Sequence, residues 1–423
     1  MFLKDIELIN FKCHTHLKMD FSTGDAKNSN RKTTFLLGEN GTGKSALLKA
    51  IALVTAGSNA LADVLGNPDA WVQNKKKYCQ VKANIVTAEG EERHIELKIN
   101  RGSHIREILN ENRDTLEQLD AAIKNADRNY FILAYGASRR LNRSDSKIIS
   151  KDSFYRSPRS NGIQSLFNPD ATLVSLANWA MDIDYSSNGK NLNIVKTALN
   201  QFLVENVYFK KIDRQKGQLL FSTPDGEIPL DQLSDGYQNV TAWVGDLMYN
   251  ITNSFSNYKD PLKARGVLLI DEVDLHLHPK WQRRLHAFLN DQLPNFQIIV
   301  TTHSPLTAQQ AKENELYALR RVAKNIELVA FVGDPSKMLL HQVLMSPVFG
   351  VDSDESAEVE KAKKKVRELT LKKDKTSSEK AAIKKLTLEV ADLPMNVRTN
   401  SSLDPKDVKL LKTFNQKLKA KLQ

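Results

Sequence analysis

The stretch Gly38-Glu39-Asn40-Gly41-Thr42-Gly43-Lys44-Ser45 has the form GxxxxGKS. The apolar run Phe35-Leu36-Leu37 precedes it and predicts a short buried strand, and the apolar residues of 46–54 after it fall on one face of a helix. A loop of this form between a strand and a helix indicates a P-loop, whose backbone N–H groups surround phosphate groups. The residues predicted to bind a nucleotide are Asn40, Gly41, Gly43, Lys44 and Ser45.

Two acidic residues follow a second buried strand. The strand is the apolar run Val267-Leu268-Leu269-Ile270, and Asp271 and Glu272 come directly after it, which is the Walker B arrangement. After a P-loop, it predicts that Asp271 and the Ser45 hydroxyl hold Mg²⁺ and that Glu272 orients the attacking water. Lys44 is then predicted to reach the β- and γ-phosphates. These parts supply the positioning and charge neutralisation that phosphoryl transfer requires, so the sequence predicts a nucleotide hydrolase.

The stretch Leu233-Ser234-Asp235-Gly236-Tyr237-Gln238 lies before that second strand. As LSxGxQ in this place, it resembles the signature element of the ABC-type ATPase heads. The resemblance implies that the nucleotide is ATP. It implies that Ser234 and Gly236 contact a γ-phosphate held by a second subunit, so that the site is complete only in a dimer. It also implies that His303, within Thr301-Thr302-His303-Ser304-Pro305, is a catalytic switch residue at the γ-phosphate.

The segment Asp271–Pro279, DEVDLHLHP, narrows the resemblance. It is similar to the RecF/SMC-like and overcoming-lysogenization-defect-type ATPases and differs from transporter subunits. The resemblance implies that residues 274–278 form a D-loop that communicates between subunits. Metal binding by His276 and His278 is the alternative interpretation, although two histidines lack the third protein ligand that a zinc site needs.

The loop Tyr135–Arg140, YGASRR, lacks the glutamine that transporter-type heads carry after the first lobe. It is more similar to the arginine-containing loop of the RecF-like group. Arg139 or Arg140 therefore either senses the nucleotide or the partner subunit, or forms a surface salt bridge. Near the N-terminus, Asn10-Phe11-Lys12 matches the segment with which related heads approach the base and the α-phosphate.

Residues 339–360, LLHQVLMSPVFGVDSDESAEVE, resemble a segment of small stand-alone ATPases in bacterial antiphage systems, notably the Septu and PARIS groups. In those systems the ATPase assembles with a separate nuclease, and no nuclease pattern is recognisable in this sequence. The resemblance implies a slow ATPase that is the switch and scaffold of a defence complex. It would form a homodimer or higher homo-oligomer through sandwiched ATP and control an effector nuclease from a neighbouring gene. DNA or a phage protein is the expected trigger.

Two other functions are compatible with the core motifs. One is a RecF/SMC-like DNA-repair ATPase that binds duplex DNA across its dimerised heads. The other is the nucleotide-binding subunit of a transporter, which fits neither the HLHP segment nor the missing glutamine loop. Strongly salt-dependent binding of duplex DNA would distinguish the repair ATPase from the defence ATPase.

The predicted fold is α/β: an ABC-ATPase (P-loop) head with a mixed β-sheet and flanking helices, followed by a short C-terminal α-helical coiled-coil hairpin. The predicted units are a head at 1–335 and a helical region at 336–423. The head consists of a P-loop lobe at 1–165, a helical or insertion region at 166–215, and a signature and Walker B lobe at 216–335. The hairpin spans about 355–395, because apolar residues repeat at 3-4-3 spacing from Val359 and again from Ile383. A helix pair packed on the head is the alternative.

Local patterns place further elements along the chain. They predict strands at 2–11 and 131–134, hairpins at 78–101 and 316–332, helices at 174–181 and 194–206, and a loop or a mobile insertion at 139–163. No internal repeat is visible.

The 423-residue chain is 41% hydrophobic, which allows a substantial core and excludes a disordered protein. Eight of its eleven excess positive charges lie in residues 355–423, where 18 Lys and Arg accompany 10 Asp and Glu. This basic tail either contacts phosphates or an acidic partner, or is a solvated helix face. Two cysteines, Cys13 and Cys79, make no disulfide framework, and no apolar run approaches the ~18 residues of a membrane span. We therefore expect a soluble cytoplasmic protein without a membrane partner.

Overall fold

A six-stranded sheet carries the P-loop near its centre. In spatial order its strands are β13 (Asn325–Ala330), β12 (Leu316–Val322), β3 (Thr33–Gly38), β11 (Phe296–Thr301), β10 (Gly266–Ile270) and β6 (Ile132–Tyr135). All neighbours pair in parallel except β13, which is antiparallel at one edge. Buried parallel strands require continuous apolar residues, and every residue of β10 is buried. The P-loop follows the carboxyl end of β3 and the Walker B acids follow that of β10. Because these strands are parallel, both segments lie at the same end of the sheet.

The computed structural model of the chain describes a defined set of residues. They are 2–23, 30–87, 90–125, 131–139, 158–187, 192–204, 206–255, 258–323, 325–351, 356–371, 376, 382–383 and 385. By their contacts, the residues divide into two units, Met1–Val351 and Asp352–Gln423.

An antiparallel sheet forms a second layer of the first unit. In spatial order its strands are β2 (His14–Asp20), β1 (Phe2–Phe11), β4 (Tyr78–Val86) and β5 (Glu92–Asn100). The helix after the P-loop, α1 (Lys44–Thr55), belongs to the core that this sheet shares with one face of the central sheet. Ten of its twelve residues are buried, as expected for a helix that is apolar on nearly all sides. Four further helices belong to this half: α2 (Ser58–Val64), α3 (Ile105–Glu111), α4 (Arg113–Asn125) and α5 (Pro158–Phe167).

A second core covers the opposite face of the central sheet. The helices of this half are α6 (Leu176–Ser187), α7 (Leu192–Phe202), α8 (Asp235–Ser254), α9 (Pro279–Gln292), α10 (Pro305–Ala308) and α11 (Leu340–Leu344). A small antiparallel sheet accompanies them, formed by β7 (Tyr208–Asp213), β8 (Gln218–Thr223) and β9 (Gly226–Pro229). Helix α8 contributes Val240, Val244, Leu247 and Ile251, whose spacing gives the helix one buried apolar stripe.

The structure confirms the α/β architecture with a mixed sheet and flanking helices. Both predicted hairpins are present, and the predicted helices at 174–181 and 194–206 correspond to α6 and α7. The predicted loop over 139–163 is wrong at its end, because α5 begins at Pro158 and buries Ile163 and Leu166. Residues 140–157, including Arg140, lie outside the described residues.

The first unit extends beyond residue 335, where the sequence placed the end of the head. Val343 and Val348 are buried in its second core, so the segment that carries them packs as part of this unit. In the second unit, α12 (Ala357–Leu371) coincides with the first predicted arm of the coiled-coil hairpin. Its least exposed residues include Val359 and Val366, which are two of the predicted apolar positions. Most of the second arm lies outside the described residues, so the hairpin stays a prediction.

Within the described ranges, the helices are all too short or too polar to cross a lipid bilayer.

Candidate nucleotide-binding site

The P-loop turns from β3 into α1 through two glycines in the left-handed region, Gly41 with φ 80° and Gly43 with φ 85°. Residues with a side chain rarely adopt this conformation. At Gly43 a Cβ would also lie 2.3 Å from the Nε2 of His14, whereas at Gly41 it would meet no atom within 4 Å. The inner side of the loop is therefore packed against the start of β2. Its outer side, with the exposed Asn40, is open to a ligand.

The side chain of Lys44 is hydrogen-bonded to the start of the P-loop. Its Nζ donates hydrogen bonds to the carbonyl oxygens of Gly38 at 2.7 Å and Glu39 at 3.1 Å, and the residue is 6% exposed. Burial lowers the pKa of Lys44, and the carboxylates of Asp271 and Glu272 oppose this change. The ammonium group thus lies within electrostatic reach of both acids, where a phosphate-binding lysine is required.

The two acidic residues are held by a threonine on the neighbouring strand. Asp271 is buried at the end of β10, and its Oδ1 accepts a hydrogen bond of 2.6 Å from the hydroxyl of Thr301 at the end of β11. The same hydroxyl oxygen accepts the backbone N–H of Glu272 at 2.7 Å. Ser45 lies at the start of α1 and is half-buried. Thr301 was not among the predicted site residues. The available signal was a polar residue at the end of a buried strand.

Glu272 adopts an unusual backbone conformation, with φ 47°. Its carbonyl oxygen accepts hydrogen bonds from the Nη2 of Arg139 at 2.6 Å and from the N–H of Leu275 at 2.9 Å. Burial lowers the pKa of Arg139 to about 10, against the opposing effect of Asp274, Asp271 and Glu272. Arg139 is therefore half-buried beside the Walker B turn and hydrogen-bonded to a backbone carbonyl there, and the alternative of a surface salt bridge gains no support from the described residues.

His303 follows β11 and lies at the same end of the central sheet as Lys44 and the two acidic residues. Its side chain is exposed, yet the loss of water on its inner side and the positive charge of Lys44 lower its pKa. The carboxylates of Glu272, Asp274 and Asp271 act in the opposite direction. His303 therefore lies near both the P-loop lysine and the acidic residues, as the resemblance to ABC-type heads implies.

The signature residues occupy a different place. Ser234 is exposed at the N-cap of α8, and Gly236 lies in its first turn. Both line a cavity of about 420 Å³ whose other lining residues are Val204, Tyr237, His276, Leu277, His278 and Trp281. The P-loop residues are not among them. The structure therefore brings Lys44, Asp271, Glu272 and His303 together and leaves Ser234 and Gly236 at a separate surface.

The two histidines of the HLHP segment serve the local fold. His276 has φ 65° in the turn after β10, and the Nδ1 of His278 accepts the N–H of Lys280 at 3.3 Å where α9 begins. Among the described residues there is no group of three His, Cys, Asp or Glu side chains that could hold a metal ion. The alternative of a metal site at these histidines therefore gains no support from this part of the chain.

Two basic residues that the sequence analysis missed contact the P-loop. The fully buried His14 places its Nε2 3.1 Å from the carbonyl oxygen of Gly43, and burial lowers the pKa of His14. Arg321, at the end of β12, donates to the carbonyl oxygen of Gly41 at 3.0 Å. Neither residue belongs to a motif, because Arg321 reaches the P-loop through the pairing of β12 with β3, and His14 through the packing of the start of β2 against Gly43.

The segment Asn10-Phe11-Lys12 ends two residues before His14 and thus lies beside the P-loop. Its first and last residues both have φ 50°. The N–H of Lys12 donates to the carbonyl oxygen of Trp71 at 2.8 Å, and its ammonium lies 4.3 Å from the centroid of the Trp71 ring. This placement is compatible with the expected approach to a nucleotide, which stays a prediction.

Comparison with known families gives two matches to this chain. Residues 86–308 match the model described as "AAA domain, putative AbiEii toxin, Type IV TA system", and residues 1–169 match the model described as "AAA ATPase domain". The first match covers more than half of the chain. The chain belongs to this AAA-domain family. The two matches together cover the P-loop, both Walker B acids and the signature element.

Relatives of this AAA-domain chain carry names from antiphage systems. It is 31% identical over 320 residues to "Septu protein PtuA" of Bacillus mycoides (strain KBAB4), which covers 75% of this chain. It is 25% identical over 405 residues to "Retron Vc95 probable ATPase" of Vibrio cholerae serotype O1 biovar El Tor, which covers 79% of this chain and 76% of the relative. The chain spans only 40% of the length of the Bacillus mycoides relative. The predicted resemblance to Septu-type ATPases is confirmed.

Among solved structures, the AAA-domain chain is similar to "Crystal structure of the SmcHead bound to the C-winged helix domain of ScpA", with a TM-score of 0.47 and 17% identity. The match covers 78% of this chain and 98% of the other. Structural similarity at this level does not indicate the activity of this chain.

Proposed function

We propose that this AAA-domain chain is an ATP-binding and ATP-hydrolysing switch in a bacterial antiphage defence complex. One observation carries the proposal. Lys44, Asp271, Glu272 and His303 come from three separate loops and meet at one edge of the parallel sheet. A P-loop protein needs these residue types at that place for phosphoryl transfer. The names of the Septu and retron relatives support the antiphage setting.

The residues present fit a nucleotide with its metal ion. The open outer side of the P-loop, with Asn40 and Gly41, leaves room for phosphate oxygens. Ser45 and Asp271 offer the hydroxyl and carboxylate oxygens that Mg²⁺ prefers, and they would hold the ion. When bound, Mg²⁺ would neutralise charge on the β- and γ-phosphates. Lys44 would exchange its two carbonyl partners for phosphate oxygens, to which it bonds more strongly.

Hydrolysis then depends on the residues around the γ-phosphate. The carboxylate of Glu272 would orient the attacking water and accept its proton as the oxygen bonds to phosphorus and ADP leaves. His303 would donate a hydrogen bond to a γ-phosphate oxygen. Its lowered pKa keeps the ring neutral at pH 7, so it would act as a hydrogen-bond donor rather than as a cation.

A second copy of the chain would complete the site. Ser234 and Gly236 lie at the exposed N-terminus of α8, a 20-residue helix whose first N–H groups favour an anion. They line a cavity that the P-loop does not share. We therefore propose a homodimer or higher homo-oligomer in which each signature element contacts ATP held by the other subunit.

The output of the switch is also part of the proposal. The resemblance to Septu-type ATPases supports a cytoplasmic complex in which the ATP-bound oligomer controls a separate effector nuclease. A ligand shifts such an equilibrium only through its different affinities for the two states. The γ-phosphate contacts of Ser234 and Gly236 would provide that difference.

The experiment that tests this proposal uses Glu272→Gln, which should bind ATP and hydrolyse it only at a small residual rate. The variant is expressed with its neighbouring genes, purified by affinity with or without ATP, and analysed by native mass spectrometry. We expect an ATP-dependent homo-oligomer that carries a nuclease. Lys44→Ala is the matched control and should give no ATP-dependent assembly. A monomer with ATP, or hydrolysis by Glu272→Gln at the parental rate, would contradict the proposal.

A second candidate function is duplex binding by a RecF/SMC-like repair ATPase. Helix α12 favours it, because Lys361, Lys364, Lys365 and Arg367 are all exposed. Such a surface binds the phosphate backbone, with an affinity that falls steeply as salt rises. If Glu272→Gln recovers duplex DNA instead of a nuclease, and DNA stimulates the parental ATPase, the repair function replaces the defence function.

A further inference from the structure

We infer that Arg139 is a positioning residue for hydrolysis. Its guanidinium holds the backbone of Glu272 on one side and lies against the signature helix on the other. The inference rests on the proposed ATPase function, because it assigns to Glu272 the water-orienting role. The sequence motifs assign no role in hydrolysis to Arg139, because the loop Tyr135–Arg140 lacks the glutamine that transporter heads carry there.

The two strands that flank β10 each fasten one end of the Glu272 residue. From β11, the hydroxyl of Thr301 accepts the N–H of Glu272 at 2.7 Å. From the loop after β6, the Nη2 of Arg139 donates to the carbonyl oxygen of Glu272 at 2.6 Å. Since β10 lies between β11 and β6, the two contacts reach Glu272 from opposite sides. Together they determine the direction in which its carboxylate leaves the backbone.

The backbone at Glu272 requires such support. A φ of 47° is unfavourable for a residue with a side chain, and it persists only where surrounding contacts hold it. The N–H of Leu275 also donates to the Glu272 carbonyl at 2.9 Å, but this bond lies within the turn itself. The N–H of Asp271 ties the start of the turn to β6 by donating to the carbonyl oxygen of Tyr135 at 2.8 Å, and Arg139 is the contact that ties the Glu272 carbonyl itself to the loop after β6. Without it, we expect the Glu272 carboxylate to sample directions in which no water is oriented.

The loop that carries Arg139 is well anchored. Gly136 lies so close to α5 that a Cβ would be 2.2 Å from the carbonyl oxygen of Ser165. The hydroxyl of Tyr135 donates to Oδ2 of the buried Asp246 on α8 at 2.6 Å. The position of Arg139 is thus determined by the fold before any nucleotide binds.

The opposite side of Arg139 faces the signature helix. The Cζ of Arg139 lies 5.9 Å from the centroid of the Trp243 ring, which is buried on α8. The N-cap of the same helix is Ser234, the proposed contact to the second subunit's ATP. The guanidinium therefore forms one physical link between the helix that senses assembly and the carboxylate that acts in hydrolysis.

The test compares Arg139→Ala and Arg139→Lys with the parent in single-turnover hydrolysis, KM and nucleotide affinity. We expect Arg139→Ala to lower kcat about 30- to 100-fold with little change in KM or in the Kd of a fluorescent ATP analogue. Arg139→Lys keeps a cation but lacks the planar fork, so it should restore kcat only in part. Guanidinium at millimolar concentration should rescue Arg139→Ala and leave the parent unchanged.

A double-mutant cycle with Glu272→Gln separates positioning from a general structural effect. If Arg139 acts through Glu272, adding Arg139→Ala to Glu272→Gln should reduce hydrolysis no further. Arg93→Ala is the matched control, because Arg93 is a half-buried arginine whose Nη1 also donates to a carbonyl oxygen, that of Gln118, at 3.0 Å. It should keep the parental kcat.

Three results would overturn the inference: additive losses in the cycle, parental kcat in Arg139→Ala, or a loss confined to nucleotide affinity. An inactive parent would instead contradict the proposed ATPase function itself. The two failures are therefore distinguishable.

Discussion

The hydroxyl of Thr301 lies 2.6 Å from the Oδ1 of Asp271 and donates a hydrogen bond to it between the ends of β11 and β10. Its oxygen also accepts the backbone N–H of Glu272. One small side chain therefore holds the proposed metal ligand and the proposed water-orienting residue at the same time. Buried polar networks of this kind lose more than one interaction when a single member is removed.

We predict that Thr301→Val lowers kcat about 10- to 100-fold, the loss expected when a buried network that aligns two catalytic groups is broken. Valine keeps the shape of the side chain and removes both hydrogen bonds. Thr301→Ser restores the hydroxyl and should stay within a few-fold of the parent. Steady-state ATP hydrolysis measures the effect, and equal rates for the valine and serine variants would exclude a role for this hydroxyl.

Gly43→Ala should destabilise the fold more than Gly41→Ala. The two glycines have similar φ, 85° and 80°, so both variants incur the same backbone strain, about 1–2 kcal/mol. Only at Gly43 does the new methyl group overlap other atoms, the imidazole of His14 and the Sγ of Cys13. Urea unfolding of both proteins without nucleotide tests the difference. Equal losses would mean that His14 and Cys13 move aside at no cost.

The stability of the fold should fall at acidic pH in part because of His14. Burial lowers the pKa of His14 in the folded state, so the unfolded chain binds a proton first as the pH decreases. The resulting stability is fully present above the ordinary histidine value near 6.5 and decreases below it, by at most about 1.4 kcal/mol per pH unit.

The measurement for His14 is the free energy of unfolding of the parent and of His14→Gln between pH 5 and 8. The difference between the two proteins should shrink as the pH falls through this window. A constant difference would show that His14 does not titrate on unfolding.

Mixing two inactive variants should restore part of the activity. Ser234→Arg keeps the P-loop and blocks the signature element, whereas Lys44→Ala does the reverse. In a mixed dimer the P-loop of the first faces the signature element of the second. Equal amounts should therefore give between about a quarter and a half of the parental rate, because each mixed dimer has one complete site of two and mixed dimers make up half of all dimers or more. No recovery in a sample shown to contain mixed dimers would argue against the shared site.

The sequence predicted the P-loop, the Walker B strand and the order of the motifs, because each depends on residues that are adjacent in the chain. Gly38–Ser45 and Val267–Glu272 lie at strand ends for local reasons, namely apolar runs followed by polar residues. The prediction that His303 lies near them came instead from the resemblance to ABC-type ATPase heads.

What the sequence left open depends on pairing between distant strands. Thr301 acquires its role only because β11 lies beside β10, and Arg139 only because β6 lies on the other side. No local pattern at either residue encodes these neighbours. The helix from Pro158 was missed for a related reason, since its packing against β6, rather than a regular apolar stripe, stabilises it.

The position of β3 also constrains how the chain can be synthesised. The strand that leads into the P-loop leaves the ribosome well before its two neighbours in the sheet, β11 and β12, which are formed by residues 296–301 and 316–322. Pairing across such a distance is slow and requires nearly the whole head to be present. A truncated or nascent chain that ends before these strands would contain the complete P-loop motif and still lack the edge on which ATP is hydrolysed. For a protein proposed to control a toxic effector, an incomplete copy would then be unable to act as the switch.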